Sequence, residues 1–181
     1  MHCDFELFMA KHCAPLLLGK KPASLFSRRQ LPKNFEWTRL REQGFCIHNL
    51  CWKSKVMVLI YHPGLLDAAL SQKKARIRLS GMGYPAGCGH RELVRHLQRR
   101  FCESGEFPHE VGFFLGYPPD DVIGFMDDEG KCKLCGQWKV YGDESRAAAI
   151  FEEYGRCRRA LLEQLEKGNN IFTANLPALA G

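Results

Sequence analysis

Cys132 and Cys135, in the segment CKLCG, are the residues of this chain whose type and spacing point most directly to chemistry. Two cysteines in a tight turn followed by glycine form the knuckle that presents both thiolates to one zinc or iron ion. A closed structural site needs four ligands, and the sequence has no second CxxC pair. The remainder would come from His12, Cys13, Cys46, Cys51 or Cys157, with Cys13 and Cys157 the preferred recruits. The same two thiols can instead handle electrons as a dithiol and disulfide. A thioredoxin-like reading fits less well, because there the CxxC opens a helix whose dipole lowers the thiol pKa, whereas here a strand is expected to follow. The plain alternative is that cysteines are small apolar side chains that pack, and for Cys157, on an apolar helical stripe, packing is the simpler account.

A second set of candidates is basic. Arg91, Arg95 and Arg99 recur every fourth residue, so they line one face of a helix, with His96 and Arg100 alongside. Such a row can grip phosphates, although a solvated surface is the usual explanation of the pattern. Aromatic residues do not alternate with the arginines, which weakens a reading as a single-strand platform. The stretch SGMGYPAGCGH precedes that helix and superficially suggests a phosphate loop, but it lacks the GxxxxGK[ST] and GxGxxG spacings. His62 before Pro63, and His109 beside Glu110, are candidate proton carriers for which a structural role is the simpler expectation. Asp120 and Asp121 most simply favour the start of a helix.

Positioning these groups requires a folded body. At 181 residues, 45% of them hydrophobic, the chain is long enough to bury one core, and no linker divides it, so residues 1–181 read as a single domain. Apolar runs such as Val56 to Tyr61 are far too short to cross a bilayer. The N-terminal MHCDFELFMAKHC lacks the basic start and apolar run of a signal peptide. Nine cysteines without an export signal imply reduced thiols and a cytoplasmic location. The net charge of +6 is uneven: residues 1–100 carry 18 Lys and Arg against 6 Asp and Glu, and residues 101–181 carry 8 against 14. That asymmetry suits either a basic face for nucleic acid or two halves of one domain attracting each other.

Helices are expected over Asp4 to Cys13, stopped by Pro15; over Pro32 to Gln43, ended by Gly44; over Leu65 to Leu70; and over His90 to Cys102, burying Leu93, Val94, Leu97 and Phe101. The longest runs from Asp143 to Lys167, with Ala147, Ile150, Phe151, Tyr154, Cys157, Leu161 and Leu165 on its apolar face. LLLGKKPASLFS, containing Lys20, Lys21, Ser24 and Ser27, reads as a connecting loop. Phe45 to Trp52 and Val56 to Tyr61 read as a hairpin turned at Lys53-Ser54-Lys55, the second strand central because it is apolar throughout. Between Phe107 and Asp143, Glu110 to Gly116 reads as an inner strand and Pro119 to Met126 as a proline-started helix. The DDEGK loop, the knuckle and a strand over Gln137 to Tyr141 follow, and Asp143 caps the long helix. The fold class is therefore mixed α/β (α+β): one small mixed sheet of about four strands, flanked by helices.

The segments RLSGMGYP, FPHEVGFFLGYPPDDVIGF and CGQWKVYGD, with the N-terminal HCAPLLLGKKPASLF, resemble a family of uncharacterised bacterial proteins, a domain of unknown function found mainly in anaerobic Firmicutes. The resemblance spans almost the whole chain. It implies a cytoplasmic protein of an anaerobic bacterium and carries over no catalytic residue. The sequence thus points first to a cytoplasmic thiol-rich protein that binds zinc or iron, or exchanges electrons with a redox protein partner, through Cys132 and Cys135. Two alternatives stand beside it. One is a nucleic-acid or polyanion module using the basic first half. The other is an enzyme on a small phosphorylated or nucleotide substrate, with the glycine turn and Arg91, Arg95 and Arg99 as its anion site.

Overall fold

The computed structural model describes residues 4–28, 30–53, 55–127 and 130–173. Cys3, Ser54 of the hairpin turn, Asp128 and Glu129 of the DDEGK loop, and the tail 174–181 lie outside the described residues.

The fold is of the mixed α/β class and is built on one short antiparallel sheet. Its strands are β1 (Ala23–Ser27), β2 (Cys46–Trp52) and β3 (Lys55–Tyr61), in the order β1-β3-β2. The expected hairpin forms as β2 and β3, pairing Cys46 with Tyr61 and Trp52 with Lys55. Strand β3 is central, and its alternation decides the layering. Val58 and Ile60 face one core with Phe26, while Leu59 and Tyr61 face another with Ala23 and Leu50. A strand covered on both faces must be apolar at every position, as this one is from Val58 to Tyr61.

The first core lies under α1 (Asp4–Leu17), α2 (Trp37–Glu42) and the long α8 (Glu144–Glu166). Helix α8 begins where Asp143 accepts from the Arg146 backbone N–H at 3.0 Å, and it buries Ala147, Tyr154, Cys157, Leu161 and Leu165. Ile150 and Phe151 are only half-buried. The second core lies under α3 (Pro63–Leu70), α4 (Lys73–Gly81), α5 (His90–Glu103), α6 (Val111–Phe114) and α7 (Pro119–Met126). A two-strand ribbon, β4 (Leu134–Cys135) with β5 (Lys139–Val140), stands apart from the main sheet. The strands are therefore divided between two sheets, both antiparallel.

Four local expectations are corrected. Glu110 to Gly116 is not a strand: it holds the short helix Val111–Phe114 between turns, with Val111, Gly112 and Phe113 each donating to the carbonyl three residues back. A short apolar run buried on all sides has no period to separate strand from helix. LLLGKKPASLFS is not all loop, because Ala23–Ser27 pairs along β3 as an edge strand. Pro15 does not end α1; the helix runs on to Leu17, and the turn closes as Lys20 N–H donates to the Pro15 carbonyl at 2.7 Å. Proline removes only its own N–H, so one more turn is tolerated near a helix end. Helix α2 starts at Trp37 rather than Pro32, whose carbonyl instead accepts from the Trp37 indole at 3.0 Å.

The uneven charge is internal in large part. Lys20 pairs with Glu153 at 3.4 Å, Lys74 with Asp120 at 2.5 Å, Arg100 with Glu110 at 2.8 Å, and Arg78 with Asp127. Each joins a basic residue of the first hundred to an acid of the remainder. The exposed pairs contribute about 0–1 kcal/mol each, so they orient the halves more than they stabilise them, whereas Arg100 meets a Glu110 that is buried.

Two variants test this architecture. Phe113 is 1% exposed, so Phe113→Ala should destabilise by about 3–5 kcal/mol in denaturant unfolding. Arg91, Arg95 and Arg99 are exposed, so reversing all three charges should leave the denaturant midpoint nearly unchanged.

Candidate functional site

The β4–β5 ribbon places the CxxC pair. Lys133 N–H donates to the Val140 carbonyl at 2.8 Å and Gly136 N–H to the Trp138 carbonyl at 3.1 Å, so the chain turns back just after Cys135. In that turn Cys132 Sγ and Cys135 Sγ lie 2.7 Å apart. Cys135 is exposed and Cys132 half-exposed. The hydrogen bond to Cys132 raises the Cys135 thiol pKa, and the Lys139 ammonium works against that rise. Cys135 and Lys139 are directly opposed across the ribbon, which puts their side chains on the same face.

So short a ribbon has little hydrogen bonding of its own, and three contacts fix it. A Cβ on Gly136 would fall 2.1 Å from the Phe151 ring, so only glycine lets the turn lie on α8. The Trp138 ring stacks on Tyr117 at 4.6 Å and meets Phe151 edge-on at 4.4 Å. Asp121, 2% exposed, accepts from Trp138 Nε1 at 2.7 Å and from the backbone N–H groups of Tyr141 and Gly142 at 2.8 and 2.7 Å. Asp121 thus does more than favour the start of α7: it clasps the ribbon to that helix.

The other proposed metal ligands are elsewhere. Cys13 and Cys157 are buried in the core beneath α1 and α8. Burial pushes the Cys13 thiol up to about 12 and raises that of Cys157, so both stay protonated and pack as apolar groups. Cys46 hydrogen-bonds Tyr61, and Cys51 is exposed. Among the described residues no group of three or more His, Cys, Asp or Glu is arranged to hold a metal ion. The four cysteines Cys132, Cys135, Cys13 and Cys157 are not brought together as a zinc or iron ligand set.

The turn SGMGYPAGCGH leads into α5, the helix paired with it as a candidate anion site. The N-terminus of α5 already holds an anion: Asp67 Oδ1 accepts from the His90 backbone N–H at 2.8 Å, and Oδ2 lies 2.7 Å from His90 Nδ1. Arg91, Arg95 and Arg99 project into solvent, and Arg99 lies 3.2 Å from His96 Nδ1. Arg100 leaves that row to meet buried Glu110, which also accepts from the Tyr84 hydroxyl at 3.2 Å. Burial lowers the pKa of His62, which is wedged between Gly44 and Gly64.

Lys21, in the segment whose sequence reads as a connecting loop, lies within an aromatic cluster. The structure sets its ammonium 5.4 Å from the Tyr117 ring centre and 5.8 Å from that of Tyr154, with no carboxylate partner among the described residues. Burial brings its pKa from 10.5 down to about 8, against an opposing contribution from Cys13. Pro22, next in the chain, lies against Gly116, where a Cβ would be 2.4 Å from Pro22 Cδ. The segments containing Lys21, Tyr117 and Trp138, distant in sequence, therefore meet at one stack. Only the Lys-Lys-Pro step after an apolar helix hinted at it.

On the outer side of that stack is a cavity of about 380 Å³. Its walls include Phe107, Val122, Phe125, Tyr117 and Trp138, and its polar groups are His109, Lys139 and Asp121.

A family model described as "Protein of unknown function (DUF3793)" matches residues 9–174. No curated protein matches the chain, and no solved structure does. No helix among the described residues is long and apolar enough to cross a membrane.

Asp121→Ala strands three donors and should cost roughly 2–4 kcal/mol in denaturant unfolding, whereas Asp121→Asn keeps a carbonyl for the two backbone donors and should cost less. Lys21 gives a pH signature. Its folded pKa is lowered, so between about 8 and 10.5 the unfolded chain binds more protons, and stability contributed by this group is lost as pH falls through that window. The stability difference between wild type and Lys21→Met should therefore change across that window in the direction of a more stable wild type at the alkaline end.

Proposed function

We propose that this chain, which belongs to the DUF3793 family of proteins of unknown function, handles electron pairs through the Cys132–Cys135 dithiol. One observation carries the reading: two sulfurs 2.7 Å apart at the accessible end of an anchored ribbon. A thiolate of the pair attacks a disulfide in a partner, forming a mixed disulfide and releasing one partner thiol. The second cysteine then displaces the other partner sulfur. The partner disulfide gains two electrons and two protons, and Cys132 and Cys135 become a disulfide. Among the described residues no helix N-terminus lies behind the pair to activate it, and Lys139 is a cation that favours its thiolate. A reducing compartment such as the cytoplasm suits such a dithiol, and a thiol- or disulfide-bearing redox protein is its natural partner.

A second reading, polyanion binding through Arg91, Arg95 and Arg99, is favoured by their exposure along α5. It has less to draw on than the net charge suggests, since Lys20, Lys74, Arg78 and Arg100 are engaged by acids of the same chain.

Equilibration of the protein in glutathione buffers of graded potential, followed by disulfide mapping, tests the dithiol. A Cys132–Cys135 bridge should form and reverse with potential, and Cys102→Ser should not disturb it. Absence of that bridge at every potential would overturn the proposal. Chelator should leave the melting temperature unchanged, and a chelator-sensitive melt with bound zinc or iron would replace electron handling by metal binding.

A further inference from the structure

The cavity beside the ribbon is not needed for thiol exchange, and its composition is specific. Its 380 Å³ falls within the range of small-molecule sites, roughly 300–1,000 Å³. Its walls combine the rings of Phe107, Tyr117, Phe125 and Trp138 with aliphatic groups such as Leu115 and Val122. The Trp138 face is backed by Tyr117 at 4.6 Å, and Phe125 stands at the mouth, 38% exposed although large and apolar. Gly112 is part of the lining, and a Cβ there would come 2.9 Å from Val122 Cγ2 and 3.4 Å from the Tyr117 ring. Tyr117 and Val122 thus close tightly behind it.

The polar groups are unevenly matched. Asp121 is the acid of the lining, and its oxygens are engaged by Trp138, Tyr141 and Gly142. Its charge is already satisfied by fixed donors. Lys139 and His109 are not matched in this way. The Lys139 ammonium lies 5.6 Å from the Phe125 ring centre, and the His109 ring meets Phe125 edge-on at 4.9 Å. Among the described residues neither has a carboxylate partner. A cation and an imidazole therefore flank an exposed aromatic ring at the mouth of an aromatic slot.

We propose that this cavity binds a small planar aromatic carboxylate, its ring between Phe125 and Trp138 and its carboxylate on Lys139 and His109. A neutral ring leaves the ammonium without an anion, and an aliphatic acid leaves the rings without a stacking partner. Lys139 is common to both readings, as the cation that favours the thiolate and as the carboxylate's partner here, whereas Phe125, Trp138 and His109 have no part in the dithiol.

Titration calorimetry with indole-3-acetate as the probe tests it, using indole as the neutral analogue and hexanoate as the aliphatic acid. Indole-3-acetate should bind in the millimolar range or tighter, and each analogue about tenfold more weakly. Lys139→Ala should weaken indole-3-acetate about tenfold while leaving indole unchanged. Phe125→Ala should weaken both aromatic probes, and Arg95→Ala, a distant cation, neither. All three of these side chains are exposed, so the alanine variants should fold as the wild type does. The Cys132→Ser/Cys135→Ser protein should bind as well as the wild type, which separates this site from the proposed electron handling. No binding of indole-3-acetate, equal binding of indole or hexanoate, or indifference to Lys139→Ala would each overturn the assignment.

Discussion

The part of this molecule most directly tied to chemistry depends on a buried carboxylate whose partners are all neutral. Asp121 takes its three hydrogen bonds from one indole and two backbone amides of the ribbon. A carboxylate out of water is costly unless donors replace its hydration, and here the donors belong to the segment that it holds. Two strands of two residues each cannot stand alone, and the clasp adds directed hydrogen bonds to the packing of Trp138 and Gly136 that also holds them. Everything placed by the ribbon follows from these contacts: the two sulfurs, Lys139, and the Trp138 face.

The main sheet works by a different rule. Strand β3 is buried on both faces and divides the apolar residues into two cores. Helices α1 and α8 cover one face, and α3 to α7 the other. The stack of Lys21, Tyr117 and Trp138 joins the start of β1, the turn after α6 and the ribbon, so the edge of the sheet and the candidate site are coupled through aromatic contact. Gly116 and Gly136 permit this, each because another ring occupies the place of a side chain. Ion pairs across the molecule add orientation to that packing.

Cysteine content proved a poor guide to cysteine role. Cys13 and Cys157 behave as small apolar groups whose burial keeps them protonated, whereas Cys132 and Cys135 face each other at the surface. What separates the two pairs is solvent and neighbourhood. Spacing alone identified the second pair and gave no means of testing the recruits assigned to it.

Much of the architecture was determined locally and could be read from the chain. The period of α8 and α5, the proline start of α7, the Asp143 cap and the unbroken apolar run of β3 each carry their own physical signal. Expectations failed where local signals are silent. Val111 to Phe114 is apolar without a period, so its helical form depends on the packing of Gly112 against Val122. Ala23 to Ser27 became a strand because β3 offered an unpaired edge. Hydrogen bonds between Asp121 and the ribbon span about twenty residues, and that between Asp67 and the start of α5 spans 23; no spacing rule connects such pairs. The sequence by itself therefore determined which segments are helices or strands wherever burial is one-sided and periodic. Only the tertiary structure decided which carboxylate meets which donor and which aromatic rings enclose a cavity, because those depend on surfaces brought together by folding.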